Sequence, residues 1–286
     1  DYSQVESARK RLAFEELLFF QICLKMMKKR IQQQAAPQMK TQSLSAFFSA
    51  LPFSLTEAQR RVINEAMEDM KKNVPMSRVV QGDVGSGKTA VAAALCYFAF
   101  QNGGQACLMV PTEILAIQHY NDLSPLLETF HIAVALLTGS TPAKEKKQIK
   151  QALAEGNIHL LIGTHSLIEE DVLFQNLVLA VTDEQHRFGV NQRARLSAKG
   201  KNGKAPHVLV MSATPIPRSL AMILYGDMDI SVIDQLPPGR QKVSTFLLHS
   251  EYNRKMYRYV ADQVNEGNQA YVVCPLVEES DNENLK

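Results

Sequence analysis

The stretch QGDVGSGKTA at residues 81–90 constrains the fold more than any other part of this sequence. Gly82 is followed after four residues by Gly87, Lys88 and Thr89, which matches the pattern GxxxxGK[ST]. An apolar run, RVVQ, precedes the pattern, and a helix-forming run, TAVAAALCYFAF, follows it. Because glycines let backbone N–H groups wrap around phosphate oxygens, and a helix N-terminus favours negative charge, we expect a phosphate-binding loop between a strand and a helix.

Each part of this loop has its own expected role. Lys88 is expected to place its ammonium on the β and γ phosphates, and the Thr89 hydroxyl to ligate Mg²⁺. The loop therefore predicts ATP and Mg²⁺ as cofactors. The residues whose backbone is expected to surround the phosphates are Gly82, Asp83, Val84, Gly85, Ser86 and Gly87.

A second stretch, LVLAVTDEQH at residues 177–186, ends an apolar run with two acids. Ligands of parallel sheets gather at the carboxyl ends of strands, so we assign Asp183 to the magnesium ion. Glu184 points elsewhere and is expected to accept a proton from an attacking water. A nucleotide kinase needs no such base, so the pair favours ATP hydrolysis. His186 is expected to form a hydrogen bond beneath the γ-phosphate.

Apolar, strand-like runs alternate with segments of helical periodicity along most of the chain. The predicted strands are 78–81, 106–110, 132–137, 158–162, 177–182 and 207–212. The predicted helices between them are 88–102, 112–130, 142–155 and 190–198. This alternation predicts an α/β fold with a parallel sheet and helices on both faces. A further helix is predicted in FSLTEAQRRVINEAMEDMKK, where Ser54 and Glu57 are spaced like a capping box.

The segments that flank this pattern define the predicted domains. Residues 3–34 have the periodicity of one long helix, and residues 1–40 carry eight Lys/Arg against four Asp/Glu. A solvated basic face and a DNA-contacting surface both remain open for this helix. After DQLPPGRQK we expect the strand VSTFLL, a helix over 250–266 and the strand QAYVVCP. The predicted domains are a linker helix region (1–50), an ATP-binding lobe (51–236), and an interlobe linker with an incomplete second lobe (237–286).

Composition limits the partners. The net charge of +2 gives no global case for nucleic acid, so any such case must come from local patches. The four cysteines are scattered, which is typical of buried thiols in a reducing compartment, and we expect a cytoplasmic protein. No run reaches the roughly 18 apolar residues of a membrane span, so we expect no membrane partner. Because the chain begins at Asp1 and ends at SDNENLK, we expect a fragment of a longer protein.

The acidic pair also has a family resemblance. Asp183-Glu184-Gln185-His186 resembles the DExH box of superfamily 2 helicases. FSLTEAQ resembles the adenine-recognition element of that superfamily, which implies that Gln59 contacts the adenine and that Phe53 is an optional stacking partner.

Three further segments resemble those that touch the DNA backbone: VPTEILAIQHY (110–120), LLTGS (136–140) and IGTHSL (162–167). The resemblance assigns DNA contacts to Pro111, Thr112, Gly139, Thr164 and His165. Contacts to phosphate and sugar are independent of sequence and sensitive to salt. From the residues alone, helix caps, turns and a satisfied loop histidine remain open for these positions.

MSATPIPRSLA (211–221) resembles the segment that couples hydrolysis to motion, which implies this role for Ser212, Ala213 and Thr214. A rigid turn after a strand remains open here, because Pro215 and Pro217 restrict the backbone.

The blocks DEQHRFGVNQR, SATPIPR, LPPGR and QAYVVCPLVEES together resemble the RecG family of bacterial branch-migrating helicases. The related transcription-repair coupling factors resemble DEEQRFG at the acidic box. The resemblance implies a RecA-like P-loop NTPase lobe, preceded by a linker helix and followed by the start of a second RecA-like lobe. It also implies a helicase that unwinds stalled replication forks and Holliday junctions.

No segment matches the family's wedge domain or its arginine finger, and Arg240 lies in the interlobe linker. We therefore expect the isolated chain to bind ATP weakly and to hydrolyse it poorly. We further expect a monomer, with branched DNA, ATP and a single-strand DNA-binding protein as partners. Alternatives are a translocase like the transcription-repair coupling factors and an ATP-gated switch that binds nucleotide without translocating.

Overall fold

The structure is a computed structural model, and it divides the chain into two compact units, residues 1–239 and 240–286. The residues that it describes are 2–183, 195–196, 199–200, 203–213, 228–235 and 244–273. The described part of the first unit contains one β-sheet and several helices, and the second unit is represented by residues 244–273.

Within the described residues the sheet has seven strands, and all neighbouring strands are parallel. In chain order they are β1 (Ser77–Gly82), β2 (Gln105–Met109), β3 (Val134–Leu137), β4 (Leu160–Gly163), β5 (Leu177–Asp183), β6 (His207–Ser212) and β7 (Asp229–Ile233). Their order across the sheet is β3-β4-β2-β5-β6-β1-β7. The predicted parallel α/β architecture is therefore confirmed.

The described helices are α1 (Tyr2–Gln32), α2 (Ser45–Ala50), α3 (Glu57–Met70), α4 (Lys88–Gln101), α5 (Glu113–Glu128), α6 (Ala143–Glu155) and α7 (Asn253–Asn265). Helix α4 is apolar around its circumference, so it lies buried between α3 and strands β1, β2 and β5. Helix α6 carries many lysines, and Leu153 is its one fully buried residue. No described helix is both long and apolar enough to cross a membrane.

One strand and one α-helix of the first unit were not predicted. Strand β7 lies at the edge of the sheet formed by the described residues and pairs there with β1, and its sequence DISVI is too polar to stand out as an apolar run. Arg78 of β1 holds it from the side, because its Nη1 donates to Ser231 Oγ at 2.6 Å. Helix α2 is only six residues long, and it inserts the buried Phe47 against Tyr97 of α4.

Two other predictions were wrong. Helix α3 is capped by Thr56 and Gln59, not by Ser54 and Glu57, because the helix begins at Glu57. In the second unit, the described parts of the predicted strands VSTFLL and QAYVVCP form no strand. Strands need hydrogen-bonded neighbours, and the side chains of Leu247 and Val273 are each 91% exposed.

Candidate nucleotide-binding site and adjoining surface

The phosphate loop joins the end of β1 to the start of α4. Ser86 N donates to Asp83 O at 3.1 Å, and Val84 N donates to Asp83 Oδ1 at 2.8 Å. Gly87 is the N-cap of α4 and has φ 86°, in the left-handed region that favours glycine. A Cβ at Gly87 would clash with the side-chain amide of Gln59. The sequence pattern thus produces the tight turn and the helix N-terminus that a phosphate requires.

Lys88 and Thr89 lie in the first turn of α4, and both are half-buried. Lys88 Nζ donates to Gly82 O at 2.7 Å and to Asp83 O at 2.9 Å, so the ammonium lies over the loop. The first turn of α4 contains no acid that would repel an anion. These features fit the phosphates of a nucleotide, with Lys88 and Thr89 at the loop where charge neutralisation and a metal-ligating hydroxyl are needed.

Gln59 connects helix α3 to this loop. Its side chain is buried, its Oε1 accepts from Thr56 N at 2.8 Å, and its Nε2 donates to Ser86 O at 2.7 Å. The side-chain amide assigned to adenine is therefore engaged with a helix cap and with the loop backbone. Phe53, the optional stacking partner, is 50% exposed.

Asp183 is the last residue of β5, as the sequence predicted, and its side chain is 16% exposed. Oδ2 of this carboxylate lies 3.2 Å from Nε2 of His119, a residue of helix α5. Sequence reasoning assigned no role to His119. The sequence signal that could have identified His119 is its position in VPTEILAIQHY, about two helical turns after Thr112.

The remaining catalytic and coupling predictions fall mostly on undescribed positions. Glu184, His186 and Thr214 lie outside the described residues. Ser212 is buried at the carboxyl end of β6, and Ala213 follows it and is half-buried.

The five residues assigned to DNA follow three neighbouring strands, β2, β3 and β4. Gly139 and His165 are exposed, Pro111 and Thr112 are half-buried, and Thr164 is 3% exposed. Thr112 Oγ1 accepts from Leu115 N at 3.3 Å, so this residue is the N-cap of α5. At Thr164 any DNA contact would have to use the backbone, because the side chain is buried.

Glu113 joins two of these segments. Its Oε1 accepts from Ser140 N at 3.1 Å, and its Oε2 accepts from Ser140 Oγ at 2.7 Å. These hydrogen bonds, with that from Ser140 Oγ first in effect, lower the pKa of Glu113. Lys146 Nζ donates to Gly139 O at 2.8 Å on the other side of the same turn. The first turn of α5 is thus tied to the turn after β3.

Strand order separates the two sets of residues. Strands β3, β4 and β2 precede the segments assigned to DNA, whereas β5, β6 and β1 end at Asp183, at Ser212 and at the phosphate loop. Because all strands are parallel, all of these ends lie on one edge of the sheet. The contact between His119 and Asp183 spans the boundary between the two halves, since α5 follows β2 and Asp183 ends β5.

Comparison with known proteins gives one family. The model of the DEAD/DEAH box helicase family matches residues 56–223. The ATP-dependent DNA helicases RecG of Aquifex aeolicus (strain VF5) and Bacillus subtilis (strain 168) are 49% and 46% identical to this chain over 279 and 277 residues. These alignments cover 97% and 96% of this chain, and 35% and 40% of the two relatives.

The comparison with solved structures also leads to RecG. RecG bound to a three-way DNA junction superposes with a TM-score of 0.83 at 43% identity, over 97% of this chain and 37% of that chain. The DUF1998 helicase MrfA, with a TM-score of 0.60 at 20% identity over 78% of this chain and 38% of that chain, shares the fold alone. The RecA-like fold and the resemblance to the RecG family are therefore confirmed. The chain spans less than half the length of the relatives it matches.

Proposed function

Because the chain belongs to the DEAD/DEAH box helicase family, we propose that it is the ATP-binding lobe of a RecG-like, ATP-dependent DNA helicase acting on branched DNA. The observation that carries this proposal is the shared sheet edge, at which the phosphate loop after β1 and Asp183 after β5 are separated only by β6. A phosphate loop and an acid at the ends of nearby parallel strands form the usual hydrolytic site of such motors.

The chain's own residues divide the work of hydrolysis. Lys88 leaves the loop carbonyls to bind the β and γ phosphates, and the amides of residues 82–87 surround them. Thr89 and Asp183 would hold Mg²⁺, which would neutralise charge on the phosphates. Glu184 takes the proton of the attacking water, and His186 contacts the γ-phosphate.

DNA is proposed to lie across the other half of the same edge. The exposed turn at Gly139 and the exposed His165 supply the most accessible contacts, with the backbone near Thr112 between them. Contacts of this kind reach phosphate and sugar, so affinity is expected to depend on salt and not on base sequence. The solved structure of RecG on a three-way junction supports branched DNA as the ligand.

ATP hydrolysis by the full-length protein, with and without fork-shaped DNA, tests this function. Fork DNA is expected to stimulate the wild-type rate. Glu184→Gln should still bind ATP but lose the stimulated hydrolysis, and Lys88→Ala should lose ATP binding. Glu68→Gln, a change of an exposed acid in α3, is the matched control and should behave as wild type.

Two outcomes would contradict the proposal. A wild-type rate that fork DNA leaves unchanged would favour an ATP-gated switch. An unaltered stimulated rate in Glu184→Gln would show that the base has been assigned wrongly.

A further inference from the structure

His119 is a buried polar residue to which the proposed mechanism gives no role. It lies in α5, it is 8% exposed, and its Nε2 is 3.2 Å from Asp183 Oδ2. Its other ring nitrogen, Nδ1, is buried and has no hydrogen-bond partner among the described residues. A buried polar ring with a single polar contact calls for a structural or functional explanation of that contact.

The chemistry of the two groups fixes the direction of the hydrogen bond. An ionised carboxylate only accepts, so His119 Nε2 carries the proton and donates to Asp183 Oδ2. This contact uses one of the two carboxylate oxygens, and Oδ1 is the oxygen that it leaves for another ligand. The neighbouring Thr182 hydroxyl is buried without a partner among the described residues, so it does not orient Asp183.

The donor is held by a rigid element. Helix α5 buries Ala116, Leu123 and Leu127 on the side that also carries His119. Its first turn is fixed by the Thr112 cap and by the hydrogen bonds between Glu113 and Ser140. A donor on a packed helix can restrict the rotation of a carboxylate at a strand end more strongly than a donor on a loop.

We propose that His119 is a positioning residue for the metal site: it orients the Asp183 carboxylate so that Oδ1 faces Mg²⁺ or a magnesium-bound water. The inference rests on the proposed function, because that function supplies the metal. Hydrogen-bonding partners of ligating groups orient them, and their removal typically lowers metal affinity or activity by about 10–100-fold.

The test uses two substitutions of nearly equal size. The Gln side chain in His119→Gln can place an N–H donor where His119 Nε2 lies, whereas His119→Met fills similar space without a donor. The affinity of the full-length protein for a fluorescent, slowly hydrolysed ATP analogue is measured once with MgCl₂ and once with EDTA. The readout is the ratio of the two dissociation constants, which isolates the contribution of Mg²⁺.

We expect Mg²⁺ to tighten binding by the wild-type chain and by His119→Gln. In His119→Met this tightening should fall by about 10-fold or more, while the affinity in EDTA stays as in wild type. Ser124→Ala is the control, because it removes a different buried hydrogen-bonding group of α5, the Ser124 hydroxyl, which donates to Glu128. It should leave the ratio unchanged even if it lowers the melting temperature.

A full magnesium effect in a folded His119→Met chain would overturn the inference and leave the proposed function intact. Equal losses in His119→Met, His119→Gln and Ser124→Ala would assign a packing role to His119, which also overturns it. Absence of any magnesium effect in the wild-type chain would overturn both proposals.

Discussion

Gln59 Nε2 donates a hydrogen bond of 2.7 Å to the backbone carbonyl of Ser86, and so joins helix α3 directly to the phosphate loop. The same side chain closes the capping box of α3 through Oε1, which accepts from Thr56 N. One buried amide thus serves both the start of a helix and the conformation of the loop.

Gln59→Ala is expected to lower the free energy of unfolding by about 1–3 kcal/mol, because it leaves the buried Ser86 carbonyl without its donor. It should also weaken nucleotide binding, since the loop loses a support. Urea denaturation and nucleotide titration measure the two effects. If Gln59 supports the loop, affinities for ATP and GTP should fall by the same factor. A selective loss of ATP affinity would instead identify Gln59 as the adenine reader.

Gly87→Ala tests the packing of Gln59 against the loop. Alanine at this position must adopt a positive φ and also displace the Gln59 amide. Gly103→Ala is a matched control, because Gly103 has φ 73° but no atom within 4 Å of an added Cβ. We expect Gly103→Ala to lose about 1–2 kcal/mol of stability and Gly87→Ala to lose more. Equal losses would mean that the clash with Gln59 adds nothing to the stability lost on substitution.

His207 predicts a pH dependence of stability. This buried residue of β6 accepts from Met76 N through Nδ1 at 2.9 Å and donates through Nε2 to Pro37 O at 2.8 Å. Burial lowers its pKa and outweighs the opposing effects of the Pro37 carbonyl and the Asp69 charge. In the unfolded chain His207 therefore takes up a proton below about pH 6.5, whereas in the folded chain it stays neutral until the pH reaches its lower pKa.

Stability from His207 is accordingly present above about pH 6.5 and is lost as the pH falls toward the lower, folded-state pKa. His207→Gln should be less stable at pH 7.5 by about 1–3 kcal/mol, and this difference should shrink at pH 5.5. Urea denaturation at both values measures it, with the exposed His165→Gln as control. A difference that is independent of pH would rule out this linkage.

Asp69 should also make the stability depend on pH, but in a more acidic range than His207. Burial by itself would raise the pKa of this carboxyl, but hydrogen bonds and charges from Lys72 and Arg78 outweigh it and lower the pKa. Arg78 Nε donates to Asp69 Oδ2 at 3.0 Å, and Nη1 of the same guanidinium reaches Glu65 and Ser231. The stabilisation is therefore complete above the ordinary Asp pKa of about 3.9 and is lost as the pH falls through the lower folded value.

Asp69→Asn is expected to lower stability by about 1–3 kcal/mol at pH 7, and the difference from wild type should diminish below about pH 4. Glu68→Gln changes an exposed acid of the same helix and serves as the control. A constant difference between pH 7 and pH 3 would contradict the assignment.

The sequence by itself determined the features that depend on short stretches of chain. The phosphate loop is one, because Gly87 at positive φ, Lys88 and the start of α4 are adjacent in the chain. Six of the strands were also determined in this way, because each is a continuous apolar run that ends close to its predicted position. The end of β5 at Asp183 was predicted for the same reason.

Only the tertiary structure decided which of these ends lie together. Strand order sets Asp183 beside the helix after β2, and no local pattern reports the contact between His119 and Asp183, which are 64 residues apart. The polar strand β7 exists because β1 and Arg78 offer it partners. The buried amide of Gln59 is engaged because Ser86 lies against α3. Such contacts depend on the packing of distant segments, whereas a loop or a strand is specified by its own residues.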